Sequence, residues 1–382
     1  MGRPLRILMV CHMPWSRNAG GSRVQLELAD EFRKLGHTVE KFSYEDAFPR
    51  PLSRWEELFT DFCNPAQKFV REYGRNFDVI DAHQGNLPRS KQDLGFQGLL
   101  VARTVGLYTF VEEFMNFERK QWPTLKPSLG GAFLRWLQFR FNRHCYTSLK
   151  FADVLNLPNR DEQSYVQERW GFGQKAFVFP FGLTETRLAV FSQIPRNGAD
   201  RLRNPQIAFV GGWQTRKGSK DWPEIVRRIR ASVPQARFLF LGTGVDRQRL
   251  LASLAPDSED GIEVIPTYDS DDLPHLLSQV TVGAFPSYME GFGFSVLEKL
   301  AAGAPVVAYD VPGPREMLSL LDPSYLVPRG DVVQFCDRIL EVLGQDEATY
   351  AQISDRCQEV AHHFCWTRIA QETLAVYSKF LP

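Results

Sequence analysis

Long apolar runs are missing from this chain. Nowhere do about 18 apolar residues follow one another without interruption, which excludes a membrane-spanning helix. An excess of either charge is missing too: Lys+Arg and Asp+Glu both number 45, which argues against bulk electrostatic capture of nucleic acid. Cysteine is sparse and scattered, and Cys11, Cys63, Cys145, Cys336, Cys357 and Cys365 form no C-x-x-C pair. That excludes a disulfide scaffold, offers no zinc spacing, and leads us to expect reduced thiols in a cytoplasmic protein. Short-period repeats and low-complexity tracts are absent. The first buried-type strand starts at Leu5, so no signal peptide is expected.

What is present is a globular composition, 43% hydrophobic and 24% charged, with 29 phenylalanines. At ~150 residues per domain the length suits two or three domains. The neutral total hides an asymmetry: residues 1–190 carry 26 basic and 21 acidic groups, the remainder 19 and 24.

Short apolar runs at residues 5–10, 39–42, 77–82, 99–102, 153–157 and 176–179 have strand length, and Val24, Leu28, Phe32 and Leu35 recur at helical spacing between the first two. Strand–helix–strand within so few residues is a βαβ unit, and a parallel sheet is its default. Residues 182–204 lack clear periodicity and carry Gly182, Pro195, Asn197 and Gly198, which reads as a linker. The alternation then restarts at Ile207 and runs through strands at 237–241, 263–265, 280–285 and 305–309. The expected architecture is α/β: two Rossmann-like, doubly wound domains facing a cleft. We expect a first domain over 1–185, a linker over 186–205, a second domain over 206–363, and a final helix over 364–382 that crosses back to the first. Ligands of such sheets bind at the carboxyl ends of the strands.

Chemistry concentrates at residues 286–298, Pro-Ser-Tyr-Met-Glu-Gly-Phe-Gly-Phe-Ser-Val-Leu-Glu. A strand end, a glycine-containing loop and a helix start place free backbone N–H groups where a phosphate is welcome. Glu290 in the loop and Glu298 in the helix can accept hydrogen bonds from hydroxyls of two different sugars. Ser295-x-x-Glu298 is also a capping box, so the residues alone leave a purely structural Glu298 open. Arg216-Lys217 alone reads as a solvated pair, Gly20-Gly21 as a tight turn, and His83 as a structural histidine. Asp269-Ser270-Asp271-Asp272 contains D-x-D, but acids in a first helical turn are routine, and no metal is expected.

Taken together, these pieces resemble the retaining glycosyltransferases of family four, which have the twin-Rossmann GT-B fold. Residues 290–298, continued by Lys299-Leu300-Ala301-Ala302-Gly303-Ala304-Pro305, resemble the family's donor signature. Ala19 to Val24 resembles its glycine loop, Asp81-Ala82-His83 its H-x-H strand end, Arg216-Lys217-Gly218 its basic diphosphate motif, and Phe364-Cys365-Trp366 with Tyr377 its returning helix. Two departures stand out. Asp81 replaces the first histidine, and Trp213 stands where the family has an arginine after the strand glycine.

The resemblance implies a retaining hexosyltransferase acting on a nucleoside diphosphate sugar, without a metal or other cofactor. Its catalytic residues would be His83, Glu290 and Lys217. Gly20, Gly21, Arg216, Lys217, Gly291, Phe292, Gly293 and Glu298 would bind the donor. The acceptor would be a glycan, a lipid-linked sugar or a small molecule, as in polysaccharide biosynthesis. A hydrolysing sugar-nucleotide epimerase on the same fold and a non-catalytic nucleotide-sugar-binding protein are the alternatives. Residues 119–150 hold seven basic groups, no acidic one, and interleaved aromatics. That pattern suits either an ordinary domain helix or the surface of an anionic membrane, which would make the protein peripheral on the inner face.

Overall fold

The computed structural model describes residues 3–17, 20–50, 60–123, 129–254 and 259–381. They form two compact units: residues 1–181 with 366–382, and residues 182–365.

In the first unit the strands are β1 (Arg6–Val10), β2 (Thr38–Phe42), β3 (Val79–His83), β4 (Leu99–Arg103), β5 (Val154–Leu157) and β6 (Ala176–Val178). They make one sheet of order β2-β1-β3-β4-β5-β6. All of its ladders are parallel, with Ile7 opposite Val39 on one side and Val79 on the other. β3 and β4 are buried at every residue, because helices cover both faces. The chain leaves β1 toward one edge and returns to its other side for β3. The crevice of a doubly wound sheet opens at such a reversal, here beyond Val10 and His83.

The second unit repeats the plan with β7 (Gln206–Val210), β8 (Arg237–Leu241), β9 (Ile262–Ile265), β10 (Val282–Phe285), β11 (Val306–Tyr309) and β12 (Leu326–Val327), in the order β12-β11-β10-β7-β8-β9. Its reversal falls between β7 and β10, so its crevice opens beyond Val210 and Phe285.

The final helix, Trp366–Phe380, belongs to the first unit. Trp366 Nε1 donates to Glu27 at 2.6 Å and Thr367 to Glu31 at 3.2 Å. Tyr377 donates to the buried Asp81 at 2.6 Å, and Arg103 pairs with the same carboxylate at 2.8 Å. Asp81, the residue that breaks the H-x-H pattern, is therefore the anchor of this helix.

Residues 186–205 are not a free linker. Helices Glu185–Ser192 and Gly198–Arg203 fill most of that stretch and count with the second unit. Their signals are caps rather than periodicity: Thr184 accepts from the Arg187 N–H and Asn197 from that of Asp200. The buried Arg201 then donates to the carbonyls of Ser278, Ala302 and Gly303.

Candidate functional site

Both crevices carry the residues singled out from the sequence. In the second unit, the turn Thr215–Lys217 after β7 is clamped to the loop after β10. The Arg216 carbonyl accepts from the Tyr288 N–H at 2.8 Å and the Ser287 hydroxyl at 3.2 Å. The Arg216 guanidinium donates to the Met289 carbonyl at 3.1 Å. Gly218 makes this approach possible: its φ is +82° and a Cβ there would run into the Pro286 carbonyl. From below, the buried Asp221 accepts from the hydroxyls of Tyr288 at 3.1 Å and Tyr309 at 2.7 Å, which pins the loop.

The clamp brings Lys217 into an ion pair with Glu290, and Arg216 lies 3.7 Å from the same carboxylate. Burial pushes the Lys217 ammonium below its ordinary range, with Glu290 opposing. Burial works against the Glu290 carboxylate, yet Lys217 and Arg216 outweigh it and hold the group below the usual range. Two cations thus share one carboxylate, which leaves a net positive site.

Gly291, Phe292 and Gly293 lead from Glu290 into the helix Phe294–Ala301, whose N-cap is Gly293 in the left-handed region at φ +91°. Phe292 is buried against Phe294 and Phe364, and the next helix start packs so closely that a Cβ on Gly313 would meet the Phe292 backbone. Because Gly293 is the cap, the Ser295–Glu298 capping box does not form. Glu298 is buried, 3.6 Å from Arg187, which also donates to the Ser270 carbonyl at 2.6 Å. Trp213, in the place of the expected arginine, packs edge-on against Phe209 and Phe240 and donates to Ser253, so it serves the fold.

In the first unit, Gly20 and Gly21 open the helix Gly20–Lys34 rather than forming a turn before it, and Gly21 lies against Met13. Ala19, the start of that motif, lies outside the described residues. His83 ends β3, buried, with Nδ1 3.1 Å from the Gln84 carbonyl and Nε2 without a partner among the described residues. Burial, and then His12, push its pKa down to about 3, so at neutral pH the ring is uncharged. His12, beyond β1, stands 4.7 Å from it ring to ring and is held by Asn86 at 3.0 Å.

The D-x-D carboxylates do not converge. Asp269 caps its own turn and the Asp271 side chain is 96% exposed. Among the described residues one mixed donor cluster occurs, Asp61, Cys63 and His144 within 4.8 Å of one another. Its groups already serve each other: Asp61 takes Arg140 and the Cys63 N–H, and the thiol donates to the Gly85 carbonyl.

Residues 204–345 match the family model described as glycosyl transferases group 1. That match falls within the second unit. Among similar proteins, a D-inositol 3-phosphate glycosyltransferase from Mycolicibacterium smegmatis is 31% identical over 179 residues, 45% of this chain and 40% of that protein. A 2-deoxystreptamine N-acetyl-D-glucosaminyltransferase from Streptomyces fradiae is 33% identical over 131 residues, 34% of this chain and 31% of that protein. The chain thus spans under half the length of these curated relatives. Solved structures align over nearly all of it. Sucrose-phosphate synthase from Thermosynechococcus elongatus superposes with a TM-score of 0.71 at 17% identity, covering 98% of each chain. Anabaena HepE, solved with UDP and glucose, gives 0.66 at 17% identity over 98% of this chain and 99% of that one. The two sheets are those of the GT-B fold.

Sequence reasoning missed His12, Arg187 and Lys299. Arg187 lay in the stretch without periodicity, and His12 carries no motif of its own. Lys299 stands beside Glu298 in an otherwise apolar stretch, a signal that was available.

Proposed function

We propose that this protein is a retaining glycosyltransferase that moves a hexose from a nucleoside diphosphate sugar to an acceptor hydroxyl. The observation that carries the reading is the Arg216–Lys217 pair, held by the loop clamp at the crevice end of β7 and β10 with Glu290 as its resting partner. A diphosphate leaving group gains negative charge as the sugar departs, and two positioned cations stabilise that charge more in the transition state than in the bound donor. The N–H groups at the start of Phe294–Ala301 add fixed dipoles of the same sign. Glu290, freed from Lys217 by the phosphate, is then available to the hydroxyls of the transferred sugar, and Glu298 to those of the ribose. The neutral His83 can hydrogen-bond a sugar hydroxyl without repelling the positive charge that develops on the sugar. Gly20 and Gly21 would let the backbone approach donor or acceptor, and the donor would need no metal.

Neighbours of this fold solved with UDP or UDP-glucose make uridine the first base to try. The acceptor would be a polyol, glycan or lipid-linked sugar. We place the enzyme in the cytoplasm, with reversible contact between residues 119–150 and an anionic membrane face. No described helix is long and apolar enough to cross a membrane.

The test is a thermal-shift and calorimetric panel of UDP, GDP, ADP and their sugars. One nucleotide at 100 times its dissociation constant should add ~2.7 kcal/mol of stability. Lys217→Ala should weaken that nucleotide at least ten-fold and lower turnover further. Unchanged binding in Lys217→Ala removes it from the site.

A further inference from the structure

Lys299 follows Glu298 on the helix Phe294–Ala301 but points the other way, into the sheet. It is fully buried, and its Nζ has no hydrogen-bond partner among the described residues. Its stem crosses β10 at Gly283, where a Cβ would collide with the lysine Cδ, so glycine is what lets a long side chain lie there. The amine ends 5.5 Å from the centre of the Phe285 ring, and Lys217 Nζ stands 5.1 Å from the same ring. One aromatic ring at the end of β10 therefore serves two lysines, one of which belongs to the proposed donor site.

Few charges face this amine. The turn Thr215–Lys217 contributes Lys217, itself paired with Glu290, and its own helix contributes Glu298. β10 and β11 present Gly283, Phe285 and Val306, which carry none. An ammonium so placed has neither water nor an acceptor, and the neutral amine is the form that such a site tolerates. Burial, then repulsion from Lys217, bring its pKa down to about 7, with Glu298 opposing.

Resting on the donor-site reading above, we propose that Lys299 is a positioning residue that takes up one proton from solvent when a nucleoside diphosphate binds. The step is R–NH2 + H+ → R–NH3+, with no other bond made or broken. Lys217, Arg216 and Glu290 together carry one positive charge, so an arriving diphosphate, which brings more negative charge than that, leaves an excess beside Lys217 and draws a further cation in behind it. That further charge is then in place when the leaving group departs. The sign follows from linkage: the bound state holds the extra proton between the free and bound pKa values, so affinity is highest at the low end and falls as pH rises above about 7. Within that window the loss approaches ten-fold per pH unit.

The experiment is titration calorimetry of UDP into the 382-residue chain at pH 8, where the nucleotide phosphates no longer titrate, in two buffers of different ionisation enthalpy. The native protein should take up close to one proton per UDP bound. Lys299→Met should still bind UDP with an uptake near zero and a flat affinity from pH 7 to 9. If that variant does not fold, Lys299→Gln replaces it, and the ten-fold slope of the native protein stands as its own measurement. Equal uptake in native and variant, or UDP binding without uptake in the native protein, overturns the proposal and leaves the donor site intact. If UDP, GDP and ADP all fail to bind the native protein, the donor-site reading falls and this proposal with it.

Discussion

Arg187 and Glu298 face each other across 3.6 Å inside the second unit, and both are nearly buried. Such a pair stabilises little when whole but costs stability when one member is removed, because the survivor keeps a buried charge. Glu298→Gln and Arg187→Gln should therefore lower the melting temperature by similar amounts. Nucleotide affinity separates the two roles of Glu298. If its carboxylate also accepts from ribose hydroxyls, Glu298→Gln loses a charged hydrogen bond worth about 1.5–3 kcal/mol, roughly ten- to a hundred-fold in UDP affinity, and Arg187→Gln loses far less. Equal affinities in the two variants would make Glu298 a purely structural partner. At this scale the sequence was legible where residue type and spacing coincide, as in Arg216-Lys217 and Glu290-x7-Glu298. It was not legible for Arg187 or His12, which reach their places only through tertiary packing. The capping box failed because Gly293, in the left-handed region, starts the helix two residues before Ser295.

The proposed donor site is held by a backbone contact, from the Tyr288 N–H to the Arg216 carbonyl, and by the side chains of Ser287, Asp221, Tyr288 and Tyr309. The close approach of the two loops depends on a glycine. Gly218 combines φ +82° with direct approach to the Pro286 carbonyl, so two independent constraints meet at one residue. Gly218→Ala should cost the second unit about 1–3 kcal/mol of stability, measured by urea unfolding, from backbone strain alone. It should also weaken UDP binding, since the turn carrying Arg216 and Lys217 must shift away from Ser287 and Tyr288. Unchanged stability would mean that the turn relaxes freely and that the clamp does not position the two cations. The strands were legible because parallel strands buried on both faces read as short apolar runs, as in Leu99–Arg103 and Gln206–Val210. The helices of residues 185–203 were not, because they are short, capped by Thr184 and Asn197, and tied down by the buried Arg201 rather than by an apolar stripe.

Across the whole molecule, the charge asymmetry and the basic segment 119–150 bear on where the protein works. Helices Tyr108–Gln121 and Leu129–Phe151 cover most of that segment, while Lys126 lies outside the described residues. Several of its aromatics are already committed to protein: Phe141 packs on Tyr108, Tyr146 on Trp170 and Phe172, and Trp122 on Phe117. Among the described side chains of the segment, Phe139 is the most exposed aromatic, at 67%. Basic groups near an anionic surface contribute about 1 kcal/mol each, but that attraction is screened by salt, whereas inserted aromatics hold on regardless. The expected behaviour is thus electrostatic adsorption without insertion. In a liposome co-sedimentation assay the protein should pellet with phosphatidylserine vesicles at low salt, stay in solution with neutral vesicles, and be released by ~0.5 M salt, where the Debye length falls to a few ångströms. Arg143→Glu should reduce the low-salt pellet. Retention at high salt would point to insertion of an aromatic such as the exposed Phe139 and overturn the purely electrostatic reading. Equal recovery with anionic and neutral vesicles would leave the helix Leu129–Phe151 an ordinary domain helix and favour an acceptor in free solution.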